Sequence, residues 1–298
     1  MPVRRTLLNY LPGNGGAARR CQNRRMEHSA GEQANFGPLL RDHRRARKFS
    51  QLDLAVQAEV SQRHLSFLES GRAAPSRDMV LQLANALDLP LRERNRLLLS
   101  AGFAGVYPER KLDAADMLPA RQALELLIRH HEPYPAVVVD RAWNLQMQNA
   151  AVAKVFGVLG NLDEIWTRVC GTAPRNILKL TLHSAGLRPF IENLDEIVPP
   201  LLARTAHEAL SHPEVQAVLD EILRYPDLPR RWRSIDLSAS RLPVLPTKLA
   251  VGPAKLNLFS MLTSFGTPLD VTTDELRVES FFPADEASAA LLRQLAAS

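Results

Sequence analysis

Between Phe36 and Gly102 the apolar residues recur at three- and four-residue intervals, broken by small polar residues, a pattern that predicts five short helices. Phe36, Leu39 and Leu40 give the first, over Phe36 to Lys48. Ser50 stands as the N-cap of the second, whose apolar positions are Leu52 and Leu54, with the small Ala55 where another helix must come close. Val60 fills the turn. Ser61 caps the third helix, in which Leu65 and Leu68 share one face while Gln62, Arg63, Ser66 and Phe67 look elsewhere. Gly71 ends it and Pro75 forbids its continuation. Ser76 caps a fourth through Val80, Leu83 and Leu87, and Leu91 to Ala101 forms the fifth.

The pattern then changes. Residues 104–116 contain Gly105 and Pro108 with few apolar positions, which reads as a linker. From 117 to 298 a helix over Met117–His131 precedes two strands, Tyr134–Asp140 and Trp143–Gln148, the second with Trp143, Leu145 and Met147 on one face. Asn149 caps a helix through Phe156; further helices are expected at Ile177–Ser184, Leu194–Leu210 and Pro213–Leu223. Strands follow at Val244–Val251, Leu256–Phe265 and Glu275–Phe282, then a last helix from Asp285. Strands at both ends with helices between predict an α+β domain, one antiparallel sheet flanked by helices, behind an all-α five-helix domain over 35–103.

Charge sharpens the division. Residues 1–110 carry 18 Lys or Arg against 10 Asp or Glu, while the rest carries 19 against 22, so the chain's net +5 resides at the helical end. That is an electrostatic footprint for phosphate. Residues 1–34, with Arg4-Arg5, Arg19-Arg20 and Arg24-Arg25 among Gly, Asn and Pro, have no periodicity and read as a disordered basic arm; Met26 is an alternative start. Cys21 and Cys170 form no metal or redox spacing, and no window of about 18 apolar residues exists, so a protein of the reducing cytoplasm, away from membranes, is expected.

The second and third helices have the geometry of a helix-turn-helix that reads double-stranded DNA. Gln62 and Arg63 lie in the first turn of the third helix, where a recognition helix meets base edges; Ser66 and Phe67 share its outward surface. Gln51 opens the second helix beside the phosphate backbone, with Lys48 just before it and Arg72 just beyond the third helix as further phosphate contacts. Ser50-Gln51, Ala55, Val60-Ser61, Leu65-Ser66, Leu68-Glu69, Gly71 and Pro75-Ser76 resemble the Cro/repressor-type, xenobiotic-response-element-like regulators over roughly Phe36 to Phe103. The departure is Glu59, where that family usually has Gly: a left-handed residue with a Cβ costs about 1 kcal/mol.

A second resemblance covers Met117 to the C-terminus. The segments Pro135–Gly157, Asn176–Glu196 and Leu258–Asp285 are similar to the ligand-binding domain of MmyB-like transcription regulators. The resemblance implies a PAS-like sensor fold and, from some relatives, a fatty-acid-like ligand. A pocket for a small apolar effector needs an apolar lining with a few polar anchors. Val139, Trp143, Phe156, Phe190, Phe259 and Phe265 are the lining candidates; Asn144 and Asn149 are candidates to orient a polar end, and Arg175, Arg188 and Arg204 to meet a carboxylate.

Enzyme chemistry finds no foothold. His207 and His212 are five apart, about 500° around a helix, so their rings diverge where a zinc site needs a spacing of three or four. His130-His131-Glu132 diverges likewise and ends at Pro133, and phosphate-loop and dinucleotide fingerprints are absent. The expectation is a non-enzymatic regulator without metal or other cofactor, acting as a homodimer on DNA. A C-terminal half serving only dimerisation or protein contact through its long helices is the alternative.

Overall fold

The computed structural model describes residues 35–158, 160–226, 228, 232 and 244–297; the expected basic arm lies outside them. Five helices come first: α1 (Phe36–Ala46), α2 (Gln51–Gln57), α3 (Gln62–Glu69), α4 (Arg77–Ala86) and α5 (Leu91–Ser100). Their starts follow local chemistry. Ser50 accepts from the Asp53 amide and Asp53 reaches back to the Ser50 amide, while Ser61 and Ser76 accept from the His64 and Met79 amides. Leu40, Leu54, Leu65, Leu68, Leu83, Leu97 and Leu98 are sealed in the core. Leu52 is not: it is 54% exposed, because the inward stripe of α2 is Leu54, Ala55 and Ala58 and two residues turn a helix by about 200°. The first helix also stops two residues earlier than expected, with Lys48 left-handed at φ 57°. Gly37 is required where α1 crosses α3, since a Cβ there would lie 2.6 Å from the Glu69 carbonyl oxygen.

The second unit runs α6 (Leu118–His130), β1 (Ala136–Val139), β2 (Leu145–Gln148), α7 (Ala150–Gly157), α8 (Leu162–Cys170), α9 (Ile177–Leu182), α10 (Leu194–Ala209) and α11 (Pro213–Ile222). It closes with β3 (Thr247–Val251), β4 (Ala254–Ser264), α12 (Val271–Glu275), β5 (Arg277–Pro283) and α13 (Glu286–Ala297). The five strands form one antiparallel sheet in the order β2-β1-β5-β4-β3, so β5 returns from the end of the chain to pair with β1. This is the expected α+β, PAS-like architecture.

Register decides what each strand faces. Val137 pairs with Glu279, Ser260 with Phe281 and Thr247 with Leu258, placing these residues on one face, toward α9 and α10. On the other face Ala136, Val138 and Val278 pack on Leu124 and Ile128 of α6.

Two local expectations are corrected and one helix is added. Trp143 lies in the β1–β2 turn, not in a strand, at φ 68°, and β2 begins at Leu145. Helix α8 occupies a stretch with no expected element, with Asn161 capping it and Ile165, Trp166 and Val169 buried. Strand β5 begins at Arg277, two residues later than expected, because Asp270 caps α12, which takes up Glu275.

The segment expected as a linker is held on both sides. Asn95 of α5 accepts from the Val106 and Tyr107 amides and donates to the Tyr107 carbonyl, while the Val271 amide donates to the Pro108 carbonyl at 2.8 Å. Among the described residues no helix is long and apolar enough to cross a membrane.

Candidate DNA interface and sensor cavity

The turn into the recognition helix has the backbone that the sequence requires. Glu59 is left-handed at φ 50° where Gly is usual, held as the Val60 amide donates to the Ala55 carbonyl at 2.9 Å. Gln62 and Arg63 are exposed at the start of α3; Ser66 and Phe67 are half-buried. The Phe67 ring carries Arg63 at 5.4 Å and Arg72 at 5.9 Å, a cation–π platform between two guanidinium groups. Lys48 and Arg72 are exposed.

Beneath this surface Glu69 ties three helices together. Its carboxylate accepts from Arg44 Nε at 2.6 Å, Arg44 Nη2 at 2.9 Å and Gln51 Nε2 at 2.8 Å, and its carbonyl accepts from Arg41. Burial opposes ionisation of Glu69, but the Arg44 and Gln51 hydrogen bonds and the Arg44 and Arg41 charges outweigh it and hold the carboxyl below its ordinary range. The Gln51 side chain is thus engaged with α3.

The second unit holds a cavity of about 370 Å³ between the inner sheet face and α9 and α10. Val137, Leu249, Leu258 and Phe281 of the sheet meet Leu178, Ile197 and Pro200 of the helices across it. Trp143 and Phe156 line it as well. Val139 is fully buried core rather than lining, and Phe190 lines a smaller apolar hollow of about 110 Å³ that Phe156 also borders. Phe259 lies on the opposite sheet face, stacked on Phe282 at 5.4 Å, and Phe265 packs with the α6 cluster, so neither reaches the cavity. The reason is the two-residue period: Leu258 and Ser260 face inward, so Phe259 between them cannot.

The polar anchors also differ from expectation. Asn149 serves the scaffold, bonding the Ala136 amide and the Ile128 and Tyr134 carbonyls, and Asn144 bonds Asp140 and Asn176. Arg175 pairs with Asp163, and Arg188 donates to the Pro226 carbonyl. Arg204 does line the cavity, stacked over Trp143 at 4.6 Å, and Arg277 lies 6.0 Å from the same ring while pairing with Glu208 at 2.9 Å. Glu279 and Ser260, unforeseen in the sequence, share the wall, with the Ser260 hydroxyl donating to Glu279 at 2.8 Å. Burial pushes the Glu279 carboxyl above its ordinary range against the pull of Ser260 and of the Arg204 charge. Burial likewise lowers the Arg204 guanidinium, with Glu279 and Glu208 opposing. Trp143 is 1% exposed, and its indole Nε1 has no partner among the described residues. Its left-handed turn is fixed by neighbours: the Trp143 amide donates to Asp140, the Ile177 amide to the Trp143 carbonyl, and Asn176 to the Ala142 carbonyl.

Helix α12 joins the two units. Helix α5 follows Pro90 and has no side-chain cap of its own, and Asp274 supplies one, accepting from the Leu91 amide at 3.0 Å. Glu275 accepts twice from Arg92, at 2.7 and 3.0 Å, and Arg92 also engages Glu109. Buried Arg141 lies 3.6 Å from both Asp274 and Glu275 and donates to His212 Nε2 at 2.5 Å. Two residues beyond Glu275 stands Arg277, beneath the Trp143 ring. A cleft of about 940 Å³ beside this clasp is lined by Arg92, Glu109, Arg141 and Glu275 among others. Among the described residues no three His, Cys, Asp or Glu side chains gather as they would around a metal ion.

A family model described as the MmyB-like transcription regulator ligand binding domain matches residues 120–295, and one described as a helix-turn-helix domain matches residues 35–97. No curated protein matches the chain.

Proposed function

The chain belongs to the MmyB-like transcription regulators, a DNA-binding domain joined to a ligand-binding domain, and we propose that a small apolar effector in the 370 Å³ cavity sets its affinity for a specific duplex. The observation that carries this reading is continuity. Strand β5 forms part of the cavity wall and runs back directly into α12, which caps α5 of the DNA-binding bundle. An effector that prefers one position of β5 therefore prefers one placement of the bundle, and its leverage equals its differential affinity for the two arrangements.

On the DNA side, Gln62 and Arg63 read base edges while Gln51, Lys48 and Arg72 position the backbone. In a homodimer the two recognition helices must stand about 34 Å apart to enter successive major grooves, so a small rotation of each bundle changes operator affinity steeply. A fatty-acid-like chain suits the lining, with Trp143 and Phe156 among its contacts.

The test uses a duplex selected from random sequence by the full chain. Saturating decanoic acid or decanamide is expected to change its Kd at least about threefold, and Leu201→Trp, which puts a larger side chain into the cavity that Leu201 lines, to abolish that response while leaving duplex binding intact. An unchanged Kd with either ligand demonstrably bound contradicts the reading and favours a C-terminal half serving dimerisation alone.

A further inference from the structure

Three polar groups around the cavity have an atom without a protein partner among the described residues, and for one of them, Trp143 Nε1, the atom is fully buried, where a partner is the rule. Arg204, an exposed residue at the rim of the cavity, has its guanidinium stacked on an indole, and among the described residues it makes no hydrogen bond or ion pair. Trp143 Nε1–H, buried under that same guanidinium, has no acceptor. Glu279, across the wall on β5, receives one hydrogen bond, from Ser260 to Oε1, and among the described residues nothing donates to Oε2. Two of these are donors awaiting an acceptor, and the third is an acceptor awaiting a donor.

We propose that the effector has a neutral head presenting a carbonyl acceptor beside a hydrogen-bond donor, as an amide does, with Arg204 and Trp143 meeting the carbonyl and Glu279 the donor. This rests on the reading that the cavity takes an apolar effector, and it identifies the chemical class of that effector's polar end. A plain carboxylate satisfies Arg204 and Trp143 but brings a second negative charge toward Glu279. An ester satisfies the donors and leaves Glu279 unmet. The charge acting on Glu279 is that of Arg204 on α10; its strand neighbour Arg277 is already held by Glu208, so it does not neutralise Glu279 in place of the ligand.

The experiment is calorimetry of the full chain with decanamide, methyl decanoate and decanoate at pH 7.5. Decanamide is expected to bind at least about tenfold more tightly than either, the size of effect that leaving one buried polar group unmet produces. Glu279→Met, close in shape and without an acceptor, is expected to bring the amide-to-ester ratio near one. Glu279→Gln, which keeps an acceptor and loses the charge, is expected to retain that ratio and improve decanoate binding. Decanoate or ester binding as tightly as the amide to the unaltered chain overturns the inference and leaves the apolar site standing. Failure of all three to bind removes the apolar-effector reading itself.

Discussion

The network beneath the DNA-facing helices and the wall of the sensor cavity treat polar groups in opposite ways. In the DNA-binding bundle Glu69 is 1% exposed, yet its carboxylate is met by Arg44 twice and by Gln51, around a core of interlocked leucines. In the sensor half Trp143 Nε1, Arg204 and one oxygen of Glu279 stand around a hollow without protein partners among the described residues. A fully satisfied network makes a rigid platform that can be moved as a body, whereas an unsatisfied one is completed by something else. The bundle is built to be carried, and the sensor half to be filled.

The largest expected effect tests the rigid side. Glu69→Ala leaves Arg44 buried without its carboxylate and should cost about 3 kcal/mol, read as an earlier unfolding transition of the bundle in denaturant. A loss below about 1 kcal/mol would mean that the network is not what holds α1, α2 and α3. Next comes base reading. Gln62→Ala should erase about 1 to 3 kcal/mol of discrimination between the selected duplex and a random one. Arg72→Ala should instead weaken both equally and reduce the salt slope by about one. Equal losses on both duplexes for Gln62→Ala would remove Gln62 from the base-reading set. Phe67→Leu, which takes away the ring beneath Arg63 and Arg72, should cost about 0.5 to 1 kcal/mol of duplex affinity.

The smallest effect is a pH dependence at the clasp. Burial, then the Arg141 charge, hold the His212 imidazole below the ordinary histidine range, and burial does the same for His43. A base depressed in the folded state lets the unfolded chain take its proton first, so this stability is full above the ordinary histidine range and is lost as pH falls through it. Thermal midpoints should therefore decline on acidification from pH 7 to 5.5, and His212→Gln should flatten part of that decline. An unaltered slope would place the linkage elsewhere.

Much of the bundle was legible because its signals are local. Ser50, Ser61 and Ser76 cap helices through bonds within three residues, and Glu59 occupies the left-handed turn that the motif demands. Leu52 misled because a seven-residue helix is too short for periodicity to fix its inward stripe. The sensor half was legible in outline, as strands at both ends of a helical run, and opaque in its site. Alternation tells which residues share a sheet face but not which face bounds a hollow, so Phe259 looked as suitable as Leu258. Trp143 read as a strand residue since aromatic side chains favour strands, whereas the contacts that fix its φ of 68° come from Asp140, Asn176 and Ile177, the latter two more than thirty positions away. Glu279, the one charged residue in Val278–Phe282, carried the one local signal of an inward polar group, a charge in the middle of a buried strand. The clasp had no local signal, because Asp274 caps a helix that begins 183 residues earlier.

The coupling of cavity to bundle is tested most directly by hydrogen exchange at the Leu91 amide, which donates across the two units to Asp274. Saturating decanamide should change its exchange rate at least about tenfold in the unaltered chain and leave it unchanged in Asp274→Ala, where that amide has already lost its acceptor. Protection confined to the cavity walls, with Leu91 exchanging at the same rate with and without bound ligand, would contradict the account.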